Sequence, residues 1–342
     1  MKFIHLGDLH LGKSLLEFDL YEDQKYIIQQ ILSLAKSEAV DALIIAGDIY
    51  DRANPNDAAM NLLDDMLTDA ASMGVKTYLI SGNHDSDDKL NFGSSFFAKN
   101  NVFIYSVFDG SLHRERISDD NGVVNIYMLP FVKASQVRHF YPDNEIDTYE
   151  DAVRVVIEHA DIDPEQRNIL IAHQFVAGRG ENESPVFGGS EGASVKNVGT
   201  VERIGYDIFD AFQYVALGHI HSPQRVGREE VRYAGSPLKY SLSEVNDFSS
   251  VHLVVKVANQ FHKGFLSCEY IHIWCIHFTS MGIIIIYFNS IWIILPENSY
   301  RIIHNLLICQ SHINKIINVC HIFLRQKLIF LPFDVSHIAK RF

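Results

Sequence analysis

The chain has 342 residues, 47% apolar and 21% charged, with 42 acidic against 29 basic side chains for a net charge of −13. Length and composition exclude a disordered or fibrous chain and allow one large or two ordinary domains with a substantial core. The acidic balance argues against holding nucleic acid through a basic surface of its own, although bound metal would neutralise part of that charge and a partner subunit could supply basic surface.

The N-terminal residues Met1-Lys-Phe-Ile-His-Leu-Gly-Asp8 enter a strand (residues 3–6) at once and reach a candidate metal ligand, Asp8, followed by His10. No signal-peptide pattern is present here, so secretion is not expected. A helix is predicted over residues 21–37, with Tyr26, Ile27, Ile31, Leu32, Leu34 and Ala35 at three-to-four spacing. Residues 42–46 read as a buried strand ending in Gly47-Asp48-Ile-Tyr-Asp51. Residues 56–73 read as a helix with Asn54-Pro55 as its start signal and Gly74 after it. The strand at 75–80 runs into Ser81-Gly82-Asn83-His84-Asp85.

This alternation predicts a sheet with helices on its faces. Asp8, Asp48 and Asn83 then all lie beyond the carboxyl ends of strands, where open α/β sheets gather their ligands. The second half is richer in strands, at 102–105, 124–129, 168–172, 214–217, 232–234 and 251–257, with helices near 149–160 and 206–211. Two of these strands end in His173 and in Gly218-His219-Ile-His221. A long polar loop is expected over residues 178–192.

Taken singly, Asp8 and His10 read as structural or surface residues, Asn83-His84-Asp85 as a polar turn, and His173 as a core histidine. Together, in one order and each at a strand end, they supply the Asp, Asn and His donors of a two-metal hydrolytic centre. A cation pair of this kind clamps the attacking and leaving oxygens of a phosphoryl transfer. Asp48 suits the bridging carboxylate. Asp8, His10 and one late histidine would complete one metal; Asn83, His173 and the other late histidine would complete the second. Mixed oxygen and imidazole donors favour Mn²⁺ or Fe²⁺, and the absence of cysteine argues against structural zinc. His84 is expected to face substrate as the catalytic histidine, and Asp51 and Asp85 to fix histidine orientation. His5, His113, His139, His159 and His252 carry no such context.

These motifs resemble the calcineurin-like metallophosphoesterases, and in finer text a bacterial DNA-nuclease branch of that family. The finer text is His10-Leu-Gly-Lys13 with Leu16, Gly47-Asp-Ile-Tyr-Asp-Arg52, Ser81-Gly-Asn-His-Asp-Ser86, Ala216-Leu-Gly-His-Ile-His-Ser-Pro-Gln224 and Tyr233-Ala-Gly-Ser-Pro-Leu-Lys-Tyr-Ser241. The resemblance implies an α/β (α+β) fold, a four-layer sandwich of two mixed β-sheets flanked by helices. It implies Asp8, His10, Asp48 and His221 at one metal, Asp48, Asn83, His173 and His219 at the other, two Mn²⁺ ions, and His84 in catalysis. It also implies 3′→5′ exonuclease activity on double-stranded DNA, endonuclease activity on single strands and hairpins, a homodimeric nuclease subunit and an ATPase partner in a heterotetramer.

The resemblance runs from residue 1 to about 257, and that span is expected to be the phosphoesterase domain. From 258 to 342 the chain turns dense in Ile, Phe, His and Cys, with Glu269, Glu297 and Asp334 its only acidic residues. This region reads as an atypical hydrophobic tail where the family has a capping and partner-docking region. A frameshift or read-through of AT-rich DNA would give such a mixture. The alternatives are a buried core segment or a membrane span over residues 270–296, which lack Asp, Glu, Lys and Arg altogether. All four cysteines lie in this tail, so the motif region needs no disulfide, as expected of a cytoplasmic protein.

Overall fold

The structure, a computed structural model, describes residues 1–15, 18–179, 185, 203–241, 244 and 252–255, and the backbone of four further strands between 267 and 296. It divides into two compact units, Met1–Ile273 and Trp274–Phe342.

In the first unit the longer strands are β1 (Lys2–Leu6), β2 (Ala42–Ala46), β3 (Lys76–Ile80), β4 (Val102–Tyr105), β5 (His113–Asp119), β6 (Gly122–Leu129), β7 (Arg167–Ala172), β8 (Tyr214–Leu217), β9 (Gln224–Val226), β10 (Arg228–Tyr233), β11 (His252–Val255) and β12 (Ser267–Tyr270). The longer helices are α1 (Tyr21–Ser37), α2 (Asp57–Ser72), α3 (Ala134–Phe140) and α4 (Tyr149–Glu158). One six-stranded sheet has the order β12-β11-β1-β2-β3-β4, with β1 to β4 parallel and β11 and β12 antiparallel at one side. The other has the order β9-β10-β8-β7-β6-β5, parallel from β10 to β6 with antiparallel edges.

Successive side chains of a strand point to opposite faces, so a strand buried on both sides must be apolar throughout. β2 is the clearest case. Its Ala42, Ile44 and Ala46 enter the layer between the sheets, together with Ile126 and Met128 of β6, Ile169 and Ile171 of β7 and Tyr214 and Ala216 of β8. Leu43 and Ile45 face the other way and pack with residues of α1 and α2. In the second sheet Leu170, Ala172, Val215 and Leu217 face outward against α3 and α4. The result is four layers, helix–sheet–sheet–helix, as the family resemblance implies.

The predicted strands and longer helices fall where expected, with three departures. Asn56, rather than Asn54-Pro55, caps α2, its side-chain oxygen accepting a 2.8 Å hydrogen bond from the Ala59 amide. The helix expected over 206–211 is a single 3₁₀ turn, Tyr206–Phe209. β5, β9, β12 and α3 have no counterpart among the predicted elements: β5 is an edge strand of sequence His-Arg-Glu-Arg-Ile-Ser-Asp with only Ile117 buried, so its apolar pattern is nearly absent. From residue 180 the loop expected over 178–192 lies outside the described residues, Pro185 apart.

The second unit holds an antiparallel meander of β13 (Trp274–Phe278), β14 (Ile283–Phe288) and β15 (Ile291–Pro296). The charge-free stretch considered as a membrane span is thus built largely of strands. Among the described residues no helix is long and apolar enough to cross a membrane.

Candidate metal centre

The parallel strands β1, β2 and β3 of one sheet and β7 and β8 of the other all deliver their carboxyl ends to one place. Asp8 follows β1, Asp48 follows β2, Asn83 follows β3, His173 follows β7, and His219 and His221 follow β8. Side chains more than 200 residues apart therefore meet. His10 Nε2 lies 3.1 Å from His221 Nε2, and Asn83 Oδ1 lies 3.1 Å from His173 Nε2 and 3.0 Å from His219 Nδ1. Asp48 Oδ2 is 3.4 Å from His173 Nε2 and 3.6 Å from His10 Nε2, midway in the group.

The loops that carry these groups are strained. Asp8, His10, Asp48 and His219 have φ of 54°, 43°, 49° and 97°, a region that L residues rarely adopt and that clusters at functional sites. Cross-links between loops hold them there. The amides of Asp8, His10 and Leu11 donate to the carbonyls of Gly47, Asp48 and Ile49 at 2.9–3.1 Å. The His219 amide donates to the Asp8 carboxylate at 2.9 Å, and the His84 amide to Asp48 Oδ1 at 2.9 Å.

Two of the motif glycines have a steric reason. A Cβ on Gly82 would sit 2.2 Å from Asp48 Oδ1, and one on Gly218 would sit 1.9 Å from the Ala46 carbonyl oxygen. That oxygen accepts a 2.7 Å hydrogen bond from His173 Nδ1, which leaves the His173 Nε2 lone pair directed into the site. Gly218→Ala should therefore cost about 1–3 kcal/mol of stability by overpacking and displace His173. Thermal denaturation with and without Mn²⁺ checks this; a melting point equal to that of the unsubstituted chain would refute it.

Electrostatics follow from burial. Asp8, His10, Asp48 and His173 are all at most 2% exposed. Burial pushes the Asp8 carboxyl up to about 6, against the pull of His173 and His221. It opposes charge on Asp48 as well, but the neighbouring His173, His10 and His84 outweigh it and hold that carboxyl well below its usual range. In return, although burial disfavours the charged His173 ring, Asp48 carries it up to about 9. Burial and the His173 charge push His219 down to about 3, and burial holds His10 well below its usual value. The centre thus gathers carboxylates and imidazoles in a largely buried volume, with His10 and His219 held neutral and His173 drawn toward its charged form by Asp48.

That donor set fits divalent cations. Asp8, His10 and His221 present ligand atoms all within 4.8 Å of one another; so do Asp8, Asp48 and His173, and so do His10, Asp48 and His84. Two imidazole Nε2 atoms facing each other at 3.1 Å can share at most one proton, which is the arrangement expected of a pair that grips a cation from two sides.

His84 stands at the rim. Its side chain is 39% exposed, with Nε2 4.0 Å from Asp48 Oδ2 and Nδ1 3.0 Å from the Asp51 carbonyl oxygen. Asp51 Oδ1 lies 3.7 Å from His10 Nδ1 but is bonded more closely to Lys13 Nζ, at 2.6 Å. Asp85 does not orient a histidine. Its buried carboxylate accepts from the amides of Ile49, Tyr50 and Gly82 at 2.9–3.0 Å, stapling the β2 and β3 loops together. Burial, then Asp48, raises it to about 7.

Three further buried residues outside the predicted ligand set support the site: Gln24 and Glu244, which no motif contains, and Tyr240, which belongs to the Tyr233–Ser241 text. Gln24 of α1 donates to the His10 carbonyl at 2.7 Å and accepts from the Gly12 amide at 3.0 Å. A polar residue at the head of the buried stripe Gln24, Ile28, Ile31, Leu32, Ala35 is its available signal. Tyr240 and Glu244 follow β10 outside the predicted strands and helices, where periodicity carries no information.

The family model of the calcineurin-like phosphoesterases matches residues 1–223, the span that carries every one of the converging ligands. The chain belongs to that family. Calcineurin-like phosphoesterases are hydrolases of phosphate esters with a binuclear metal site, and the residues gathered here include candidate Asp and His ligand clusters. Over 266 residues the chain is 35% identical to the D subunit of nuclease SbcCD from Staphylococcus epidermidis, an alignment covering 76% of this chain and 67% of that protein. Two solved structures are similar at 13% identity. A dimetal phosphatase from Danio rerio matches over 74% of this chain and 94% of its own with a TM-score of 0.39. GAP50, the anchor in the inner membrane complex of Plasmodium, matches over 80% and 88% with a TM-score of 0.42.

Proposed function

We propose that the chain is a metal-dependent DNA nuclease subunit, acting as a 3′→5′ exonuclease on double strands and an endonuclease on single strands and hairpins. The observation that carries this reading is the 35% identity to the Staphylococcus nuclease subunit, which spans 266 residues and so extends beyond the 223 matched by the general family model. The proposed metal ligands are Asp8, His10, Asp48 and His221 on one side and Asp48, Asn83, His173 and His219 on the other. The mixed carboxylate, amide and imidazole set favours Mn²⁺.

Bound there, two divalent ions would neutralise charge on the phosphodiester and polarise the attacking water. The chain's own groups do the rest. The strained, cross-linked loops preorganise the ligands. The exposed edge of His84, its Nδ1–H on the Asp51 carbonyl, presents Nε2 to the substrate side, where the imidazolium gives its Nε2 proton to the departing oxygen and is left as the neutral Nδ1–H ring. An SbcC-like ATPase as partner accords with the relative's name. DNA as substrate, and roles in recombination, replication and repair in the cytoplasm, belong to the same proposal. A homodimer within a heterotetramer completes it; Phe92 and Phe96, 85% and 67% exposed beside the Asn83-His84-Asp85 loop, offer apolar surface for the contact.

The test is cleavage of linear and hairpin DNA by the purified chain with Mn²⁺, beside a model phosphatase ester. Mn²⁺-dependent DNA cleavage is the expected result. Ester hydrolysis without DNA cleavage would overturn the nuclease reading in favour of a general phosphoesterase. A monomeric mass by light scattering would remove the dimer.

A further inference from the structure

We propose that Glu244 is the positioning residue for His221, and that with Tyr240 it clamps the His10–His221 pair. The inference rests on the metal centre proposed above and adds to it a carboxylate outside the ligand set.

Glu244 is 2% exposed, and a carboxylate so buried is costly unless its oxygens are bonded. Both are engaged. Oε1 lies 3.3 Å from His221 Nδ1, and Oε2 accepts from the Tyr240 amide at 2.7 Å. An acceptor on Nδ1 keeps the ring proton there, which leaves the lone pair on Nε2, the atom that faces His10 Nε2 at 3.1 Å. One contact thus sets both the tautomer and the ring plane of a ligand.

Tyr240 ties the same segment to the other half of the pair. Its hydroxyl donates to the Leu9 carbonyl, between Asp8 and His10. Its ring centroid lies 5.4 Å from that of His10 and 5.9 Å from that of His221, edge-on to both. The segment begins pinned to the site, because the Ser236 amide donates to the His221 carbonyl at 3.0 Å. Main chain on both sides of the histidine pair is therefore held by Ser236, Tyr240 and Glu244.

The experiment uses the full chain and two readouts: Mn²⁺ titration followed by electron paramagnetic resonance, and the His221 ring tautomer from long-range proton–nitrogen NMR spectra. Glu244→Ala should weaken one of two Mn²⁺ ions by about 10–100-fold, the usual effect of losing such an outer partner, and remove the Nδ1–H tautomer preference. Glu244→Gln offers one acceptor oxygen to two donors, His221 Nδ1–H and the Tyr240 amide, and should give a smaller loss of affinity and a partial loss of the tautomer preference. Unchanged Mn²⁺ binding in Glu244→Ala, or equal losses in both variants, would overturn the proposal. If the alanine variant does not fold, the glutamine variant decides: a weakened Mn²⁺ site with a shifted His221 tautomer supports the role, and unchanged binding with an unchanged tautomer refutes it. An unsubstituted chain that binds no pair of Mn²⁺ ions would instead remove the metal-centre reading, while its His221 tautomer would still report on Glu244.

Discussion

Asp48→Asn is expected to abolish metal retention and phosphodiester cleavage together, with activity falling by about a thousandfold or more, equivalent to about 4 kcal/mol of barrier. Asparagine is the informative substitution. It keeps the volume of the side chain, tolerates the left-handed backbone that Asp48 adopts at φ 49°, and leaves an oxygen to accept from the His84 amide. What it removes is one negative charge, at a carboxylate that lies within 4.0 Å of three imidazoles, those of His10, His84 and His173. Asp48→Ala would remove the same charge but add backbone strain, since alanine is poorly suited to positive φ. Metal content after dialysis, measured beside the cleavage rate, separates the two consequences. An asparagine variant that keeps two equivalents of Mn²⁺ and full activity would end the assignment of Asp48 as the shared ligand.

The sequence is most informative where periodicity and local chemistry agree. Each parallel strand is short, apolar on both faces and closed by a polar motif, so both the alternating architecture and the convergence of Asp8, Asp48, Asn83, His173, His219 and His221 can be read from strand ends. That there are two sheets rather than one comes from family resemblance. No residue spacing states which strands pair, and β1 neighbours β11, some 250 residues later. The motif glycines are legible as text but not as sterics: only the folded chain shows that Gly218 must lack a side chain because the Ala46 carbonyl and His173 occupy that space.

What stays hidden is the supporting shell. Gln24, Tyr240 and Glu244 reach the site through backbone carbonyls and one imidazole nitrogen, from α1 and from residues after β10. Contacts to main chain leave no residue-type pattern, because any sequence offers a carbonyl. Asp85 shows the same limit from the other side. Its place next to Asn83 and His84 points to a histidine partner, whereas its three bonds go to backbone amides of two loops. Neighbourhood in sequence identifies the site but not the bonding.

His84→Ala should separate binding from chemistry: two Mn²⁺ ions retained, cleavage reduced by about 10²–10⁴-fold, the range a positioned general acid contributes. The basis is geometric. His84 is partly open to solvent, at 39% of its side chain, as His219 is in part, whereas His10 and His173 are 2% and 0% exposed. Its backbone amide, not its ring, makes the contact with Asp48 that orders the loop, so removal of the ring leaves the 2.9 Å bond to Asp48 Oδ1 available. The ring's own anchor is the Asp51 carbonyl on Nδ1, which fixes direction without charge. A substrate with a good leaving group, such as an aryl phosphodiester, needs little protonation of the departing oxygen. The defect of His84→Ala should therefore shrink on the aryl ester and stay large on DNA. A variant that loses metal, or one equally impaired on both substrates, would recast His84 as a ligand or a structural residue instead of an acid.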